Sequence, residues 1–80
     1  MRKVIIYEAV VVYIPPQPGG CNVIQYRDAL MRSLERRHKG VTCESRGKRE
    51  ILVFLPDGVT IADIRKWATE FNSTYKPVLT

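Results

Sequence analysis

The side chains in this sequence best suited to making bonds or holding metals are few: the thiols of Cys21 and Cys43 and the single imidazole of His38. Their settings point away from chemistry. Cys21 stands at the end of a proline- and glycine-rich stretch, and Cys43 lies in an alternating apolar–polar run. The two could pair, but one lies in a loop and the other in a strand pattern, and two reduced thiols in a reducing compartment are expected. His38 falls in the run Arg36-Arg37-His38-Lys39, where a cation complements the negative end of a helix dipole. Asp57 and Asp63 read as a turn residue and a helix cap. The chain has no Walker-type phosphate loop, no nucleophile elbow and no HExxH spacing. A non-enzymatic protein with no cofactor and no bound metal is the expectation.

The chemistry that remains is electrostatic. The 13 Lys and Arg residues exceed the 8 Asp and Glu residues, leaving a net charge of +5. The bases gather in two places, Arg46, Lys48 and Arg49 around one glycine and Arg36, Arg37 and Lys39 at the end of an amphipathic segment. A basic balance favours nucleic acid, an anionic membrane surface or an acidic protein as partner, and it equally serves solubility. At 80 residues and 45% hydrophobic, the chain is one small domain, residues 1–80, with a thin stability margin that a partner subunit would improve. Val4 to Ile14 is too short to span a bilayer, and Glu8 interrupts any signal-peptide core. No membrane association is expected, and a cytoplasmic location is.

Two helix starts position these groups. Thr60 and Asp63 form a capping box, with Val59 stapled over Ile64. Asn22 caps a second helix, with Cys21 set against Tyr26. The first helix is predicted over Val23 to Lys39: Val23, Tyr26, Leu30 and Leu34 recur at helical steps with Met31 beside them, and Gly40 is a natural stop. Asp28 with Arg32 and Glu35 with Lys39 are acid-before-base pairs at helical spacing. The second helix is predicted over Ile61 to Phe71, burying Ile61, Ile64, Ala68 and Phe71 with Trp67 at its edge. Strands are predicted over Lys3 to Ile14, Val41 to Ser45, Ile51 to Leu55 and, more briefly, Tyr75 to Leu79, where Pro77 requires an edge position. Arg46-Gly47-Lys48-Arg49 is a hairpin turn with glycine available for positive φ. Pro56-Asp57-Gly58 is a second turn. Pro15-Pro16-Gln17-Pro18-Gly19-Gly20 breaks regular structure; it is similar to a short polyproline segment and reads most simply as a stiff loop.

The order strand, helix, strand, strand, helix, strand is the ferredoxin-like βαββαβ arrangement, an α+β two-layer sandwich with an antiparallel sheet and both helices on one face. Its fourth strand is short or absent. Heavy-metal-associated domains share this order and place Cys-x-x-Cys before the first helix. Here that segment is Cys21-Asn22-Val23-Ile24, and Ile24 stands where the second thiolate belongs, so a lone cysteine is left. RNA-recognition motifs share the order too. Arg46-Gly47 resembles the start of their third-strand motif, but Lys48 and Glu50 replace its aromatics.

The predicted strands are apolar on both faces. Helices on one side leave the other bearing some of Tyr7, Tyr13, Leu52 and Phe54, and such a surface marks an interaction site. The expected function is a small binding or regulatory protein, such as an adaptor, inhibitor or assembly subunit. It meets a protein partner, or itself as a homodimer, through that face. The alternative is a nucleic-acid-binding protein that holds phosphate with Arg46, Lys48 and Arg49 and with Arg36, Arg37 and Lys39.

Overall fold

A computed structural model of the chain describes residues 8–15 and 22–75. Its elements are β1 (Glu8–Tyr13), α1 (Val23–Arg37), β2 (Thr42–Ser45), β3 (Glu50–Leu55) and α2 (Ile61–Thr74).

Both helices begin where the capping residues place them. The Asn22 Oδ1 accepts the backbone N–H of Ile24 at 2.9 Å and of Gln25 at 3.2 Å. Two N–H groups with no intrahelical partner are satisfied in this way. At α2 the box is reciprocal: Asp63 N–H donates to Thr60 Oγ1 at 3.2 Å, and Thr60 N–H donates to Asp63 Oδ2 at 3.0 Å.

The helix ends depart from the expected ones. α1 closes at Arg37, short of Lys39, because His38 is extended. The His38 carbonyl accepts from Val41 N–H at 3.1 Å and its Nδ1 accepts from Gly40 N–H at 3.1 Å, so the imidazole helps turn the chain into β2. Gly40 serves close approach: a Cβ there would stand 2.6 Å from the Cβ of Pro56. α2 runs on to Thr74, past Phe71. Ser73 Oγ donates to the Glu70 carbonyl at 2.8 Å, and Thr74 Oγ1 lies 3.2 Å from the carbonyls of Glu70 and Phe71, occupying groups that a helix end leaves open. Tyr75, expected to open a fourth strand, instead caps α2 and donates its N–H to the Phe71 carbonyl at 2.8 Å. The rest of that expected strand lies outside the described residues.

The sheet order is β1-β3-β2, with β1 and β2 both antiparallel to β3. β1 and β2 therefore run the same way with β3 inserted between them, joined by α1, which is a split βαβ unit. The order shown is β-α-β-β-α, an α+β fold with a three-stranded antiparallel sheet and two helices. Arg46 N–H donates to the Glu50 carbonyl at 2.9 Å to close the hairpin, and Gly47 takes φ +113°, the left-handed region that glycine enters at least cost.

Both helices pack on one side of the sheet. Ile51, Val53 and Leu55 of β3 join Tyr26, Leu30 and Leu34 of α1 and Ile64 of α2 in a single buried cluster with Ile14, Val41 and Val59. Val10, Val12, Ile61, Trp67, Ala68 and Phe71 pack around it, half-buried. The ion pairs among the described residues differ from the expected ones. Asp28 pairs with its neighbour Arg27 at 3.0 Å, Arg37 crosses to Glu70 of α2 at 2.7 Å, and Glu35 accepts the Cys43 N–H at 3.2 Å.

Candidate functional site

Strand register decides what the bare side of the sheet displays. Residues opposite one another in a ladder share a face. Val10 pairs with Val53 and Val53 with Cys43, which puts this row toward the helices. The rows in between face away. Ala9, Phe54 and Thr42 form one; Val11, Leu52 and Glu44 form the next; Tyr13 and Glu50 form the third. Three of the residues expected on this face, Tyr13, Leu52 and Phe54, are therefore together. Tyr7, the fourth, lies outside the described residues. Tyr13 is 70% exposed, and Val11, Leu52 and Phe54 are half-buried among their neighbours.

The face is divided. Ala9 and Val11 of β1 with Leu52 and Phe54 of β3 make its apolar part, and the carboxylates of Glu44 on β2 and Glu50 at the start of β3, opposite Tyr13, flank that part. The sequence reading missed these two acids because it counted single strands, not cross-strand rows. The signal was present: a hairpin centred on Lys48 that pairs Arg46 with Glu50 also pairs Glu44 with Leu52.

The basic residues separate into distinct places. Arg46, Lys48 and Arg49 are exposed on the β2–β3 hairpin. This tip meets two other elements. Ile14 N–H donates to the Arg49 carbonyl at 2.8 Å, and Arg27 of α1 donates from Nη1 to the Gly47 carbonyl at 2.7 Å. Close by, Tyr26 Oη donates to Asn72 Oδ1 at 2.7 Å, and Tyr26 packs edge-on against Phe71 and Tyr75. One end of the domain thus collects the end of β1, the start of α1, the hairpin and the end of α2. Arg27 was not anticipated there. Arg36, Arg37 and Lys39 stand at the other end of β2, and Arg37 is occupied by Glu70. The two basic clusters do not form one surface.

Little in this geometry can move protons or hold metals. Among the described residues, no three His, Cys, Asp or Glu side chains converge as a metal site. Burial pushes the Cys43 thiol up to about 12, and the Glu35 carboxylate beside it adds to the effect. Such a thiol is a poor nucleophile at neutral pH. Cys21 lies outside the described residues. No family model, curated protein or solved structure matches the chain at a significant level.

Proposed function

We propose that this chain is a small non-enzymatic binding protein that works through the bare face of its sheet, and that the occupant of that face is a second copy of itself. The observation that carries the reading is the apolar half-face of Ala9, Val11, Tyr13, Leu52 and Phe54, on the side away from both helices. An apolar patch of this kind costs free energy when left in water and gains it when covered. Charge favours self-association. The ladder that places Glu44 and Glu50 on this face also pairs Arg46 with Glu50, and a twofold interface needs both partners of each contact on one surface. An adaptor, an inhibitor or a subunit of a larger assembly each fits a domain of this size. Within this reading the architecture is ferredoxin-like, with the outer edge of β1 left for a fourth strand.

The test is oligomeric state. Sedimentation should show a concentration-dependent dimer, and Tyr13→Glu or Phe54→Glu should return it to a folded monomer. A wild-type chain that stays monomeric, or a dimer indifferent to both substitutions, removes the reading.

The second reading, nucleic-acid binding, draws on the exposed hairpin bases Arg46, Lys48 and Arg49, joined by Arg27. Two features weigh against the sheet as its base-stacking platform. Glu44 and Glu50 share the face with Leu52, Phe54 and Tyr13, and carboxylates there repel a phosphate backbone. Arg37 is already paired. Salt-dependent retention on random oligonucleotides that disappears on charge reversal at Arg46, Lys48 and Arg49 would restore this reading. Among the described residues, no helix is long and apolar enough to cross a membrane.

A further inference from the structure

The edge strand of a sheet is a template for pairing with another chain. Among the described residues, β2 has β3 on one side and no strand on the other. The ladder shows which of its backbone groups point outward. Arg46 N–H donates to the Glu50 carbonyl at 2.9 Å, so Arg46 and Glu50 are a hydrogen-bonded pair. In an antiparallel ladder such pairs recur at every second residue. Glu44 with Leu52 and Thr42 with Phe54 are therefore turned toward one another. The N–H and C=O groups of Cys43 and Ser45 point the opposite way, along the outer edge.

That edge is occupied from within the chain. The Cys43 N–H donates to Oε2 of Glu35, on α1, at 3.2 Å. Two residues earlier, on the same side of the chain, the Val41 N–H donates to the His38 carbonyl at 3.1 Å. The end of α1 and the turn after it thus hold the amides that lead into β2. An added strand would lie about 4.8 Å from β2 and bring a carbonyl to about 3 Å from the Cys43 nitrogen. The Glu35 carboxylate holds that place. Its charge is a second barrier, because a strand laid over it would strip its water and set a carbonyl oxygen against it. A twofold pairing of β2 with the β2 of a second copy meets a third. Centring it on Cys43 avoids setting Glu44 opposite its counterpart, but it crowds two Glu35 carboxylates about the axis.

We propose that Glu35 is an edge guard: its carboxylate closes the outer edge of β2 to strand addition by the β2 of a second copy, and so confines self-association to the face opposite the helices. The closed edge stands on the bonds above, and the confinement rests on the sheet-face reading. The consequence is the size of the assembly. A twofold face contact joins two copies and is then used up. A face contact and an edge contact on the same copy extend from one copy to the next. β2 already has one protection against this, since it is only four residues long. Glu35 adds the other from a neighbouring element. On α1 it is an exposed acid that reads as a solubilising residue, and its contact with β2 gives it the second role.

Sedimentation of Glu35→Ala tests this, with the substitution made in the Tyr13→Glu chain so that the face contact is absent. Glu35 is exposed and alanine is the better helix former, so the variant keeps α1. Its average mass should rise about twofold with concentration, toward a pair of copies, while Tyr13→Glu alone stays monomeric. The Cys43 and Ser45 amides should gain protection from hydrogen exchange over the same range. In the otherwise unchanged chain, Glu35→Ala should produce species larger than those of the parent. A second readout needs no substitution. In the dilute parent the Cys43 amide should exchange at least about tenfold more slowly than the Ser45 amide, each relative to its intrinsic rate. Glu35→Ala variants no larger than the chains they were made from overturn the proposal. Growth without protection at Cys43 and Ser45 also overturns it, as does equal protection of these two amides in the parent. The outcome is separable from the dimer reading, because an edge pair can form in the doubly substituted chain whether or not the parent dimerises through its face.

Discussion

At the scale of single residues, Cys43 and Gly40 show how close contacts set chemical behaviour. The Cys43 thiol is half-buried beside Glu35, and both features disfavour the thiolate. Its ordinary value of 9.0 rises to about 12 in the folded chain. Between these values the folded state keeps a proton that the unfolded state has lost, so the contribution of Cys43 to stability is full below pH 9.0 and declines as pH rises toward about 12. Denaturant titrations across this range should show a shallower decline for Cys43→Ala than for the parent. Alkylation of Cys43 at neutral pH should be slow and should quicken when denaturant exposes the thiol. Gly40 makes the opposite point, that a residue can matter by having no side chain. Gly40→Ala brings a Cβ to 2.6 Å from the Cβ of Pro56, so one of the two segments must move. A loss of about 1–3 kcal/mol in chemical denaturation is expected from such overpacking. From sequence, Gly40 is a helix stop; its contact with the turn after β3 exists only once the chain has folded back.

At the scale of elements, local signals governed the starts and tertiary contacts governed the ends. Asn22, Thr60 and Asp63 act within three residues of themselves, and the structure uses each as expected. Thr60→Ala should cost about 1 kcal/mol by removing one arm of the box, and Asp63→Ala about as much, with the double variant falling short of their sum because the two bonds act together. Urea titrations of the three variants provide the cycle. The ends were less legible. α1 stops early because His38 binds the turn into β2, and α2 runs late because Ser73 and Thr74 fold back on the helix. The acid–base pairs expected along α1 failed for a related reason. Glu35 accepts the Cys43 N–H of β2, eight residues on, and Asp28 pairs with its neighbour Arg27; a preference worth a few tenths of a kcal/mol does not fix either partner.

At the scale of the whole molecule, the division of the sheet into a helix-covered face and the face opposite is the property on which the proposed function rests. Two neighbouring residues of β3 expose it. Val53 is fully buried beneath the helices, and Phe54 is half-buried on the other side. Val53→Glu places a charge in the core at a cost of several kcal/mol, comparable with the whole stability of a small domain, and should leave the chain unfolded by circular dichroism. Phe54→Glu should fold and, on the proposed reading, lose only self-association. Equal effects from the two would mean that the faces are not distinct. The amino-acid order alone determined the capped helix starts, the hairpin at Gly47 and the two-sided apolarity of the strands, because these depend on contacts a few residues apart and on the alternation of an extended chain. It could not determine that Glu44 and Glu50 border the apolar face, or that Arg27 joins the hairpin while Arg37 is taken by Glu70. Those outcomes depend on which strand lies beside which and in what register, and that choice is made by the packing of the entire core.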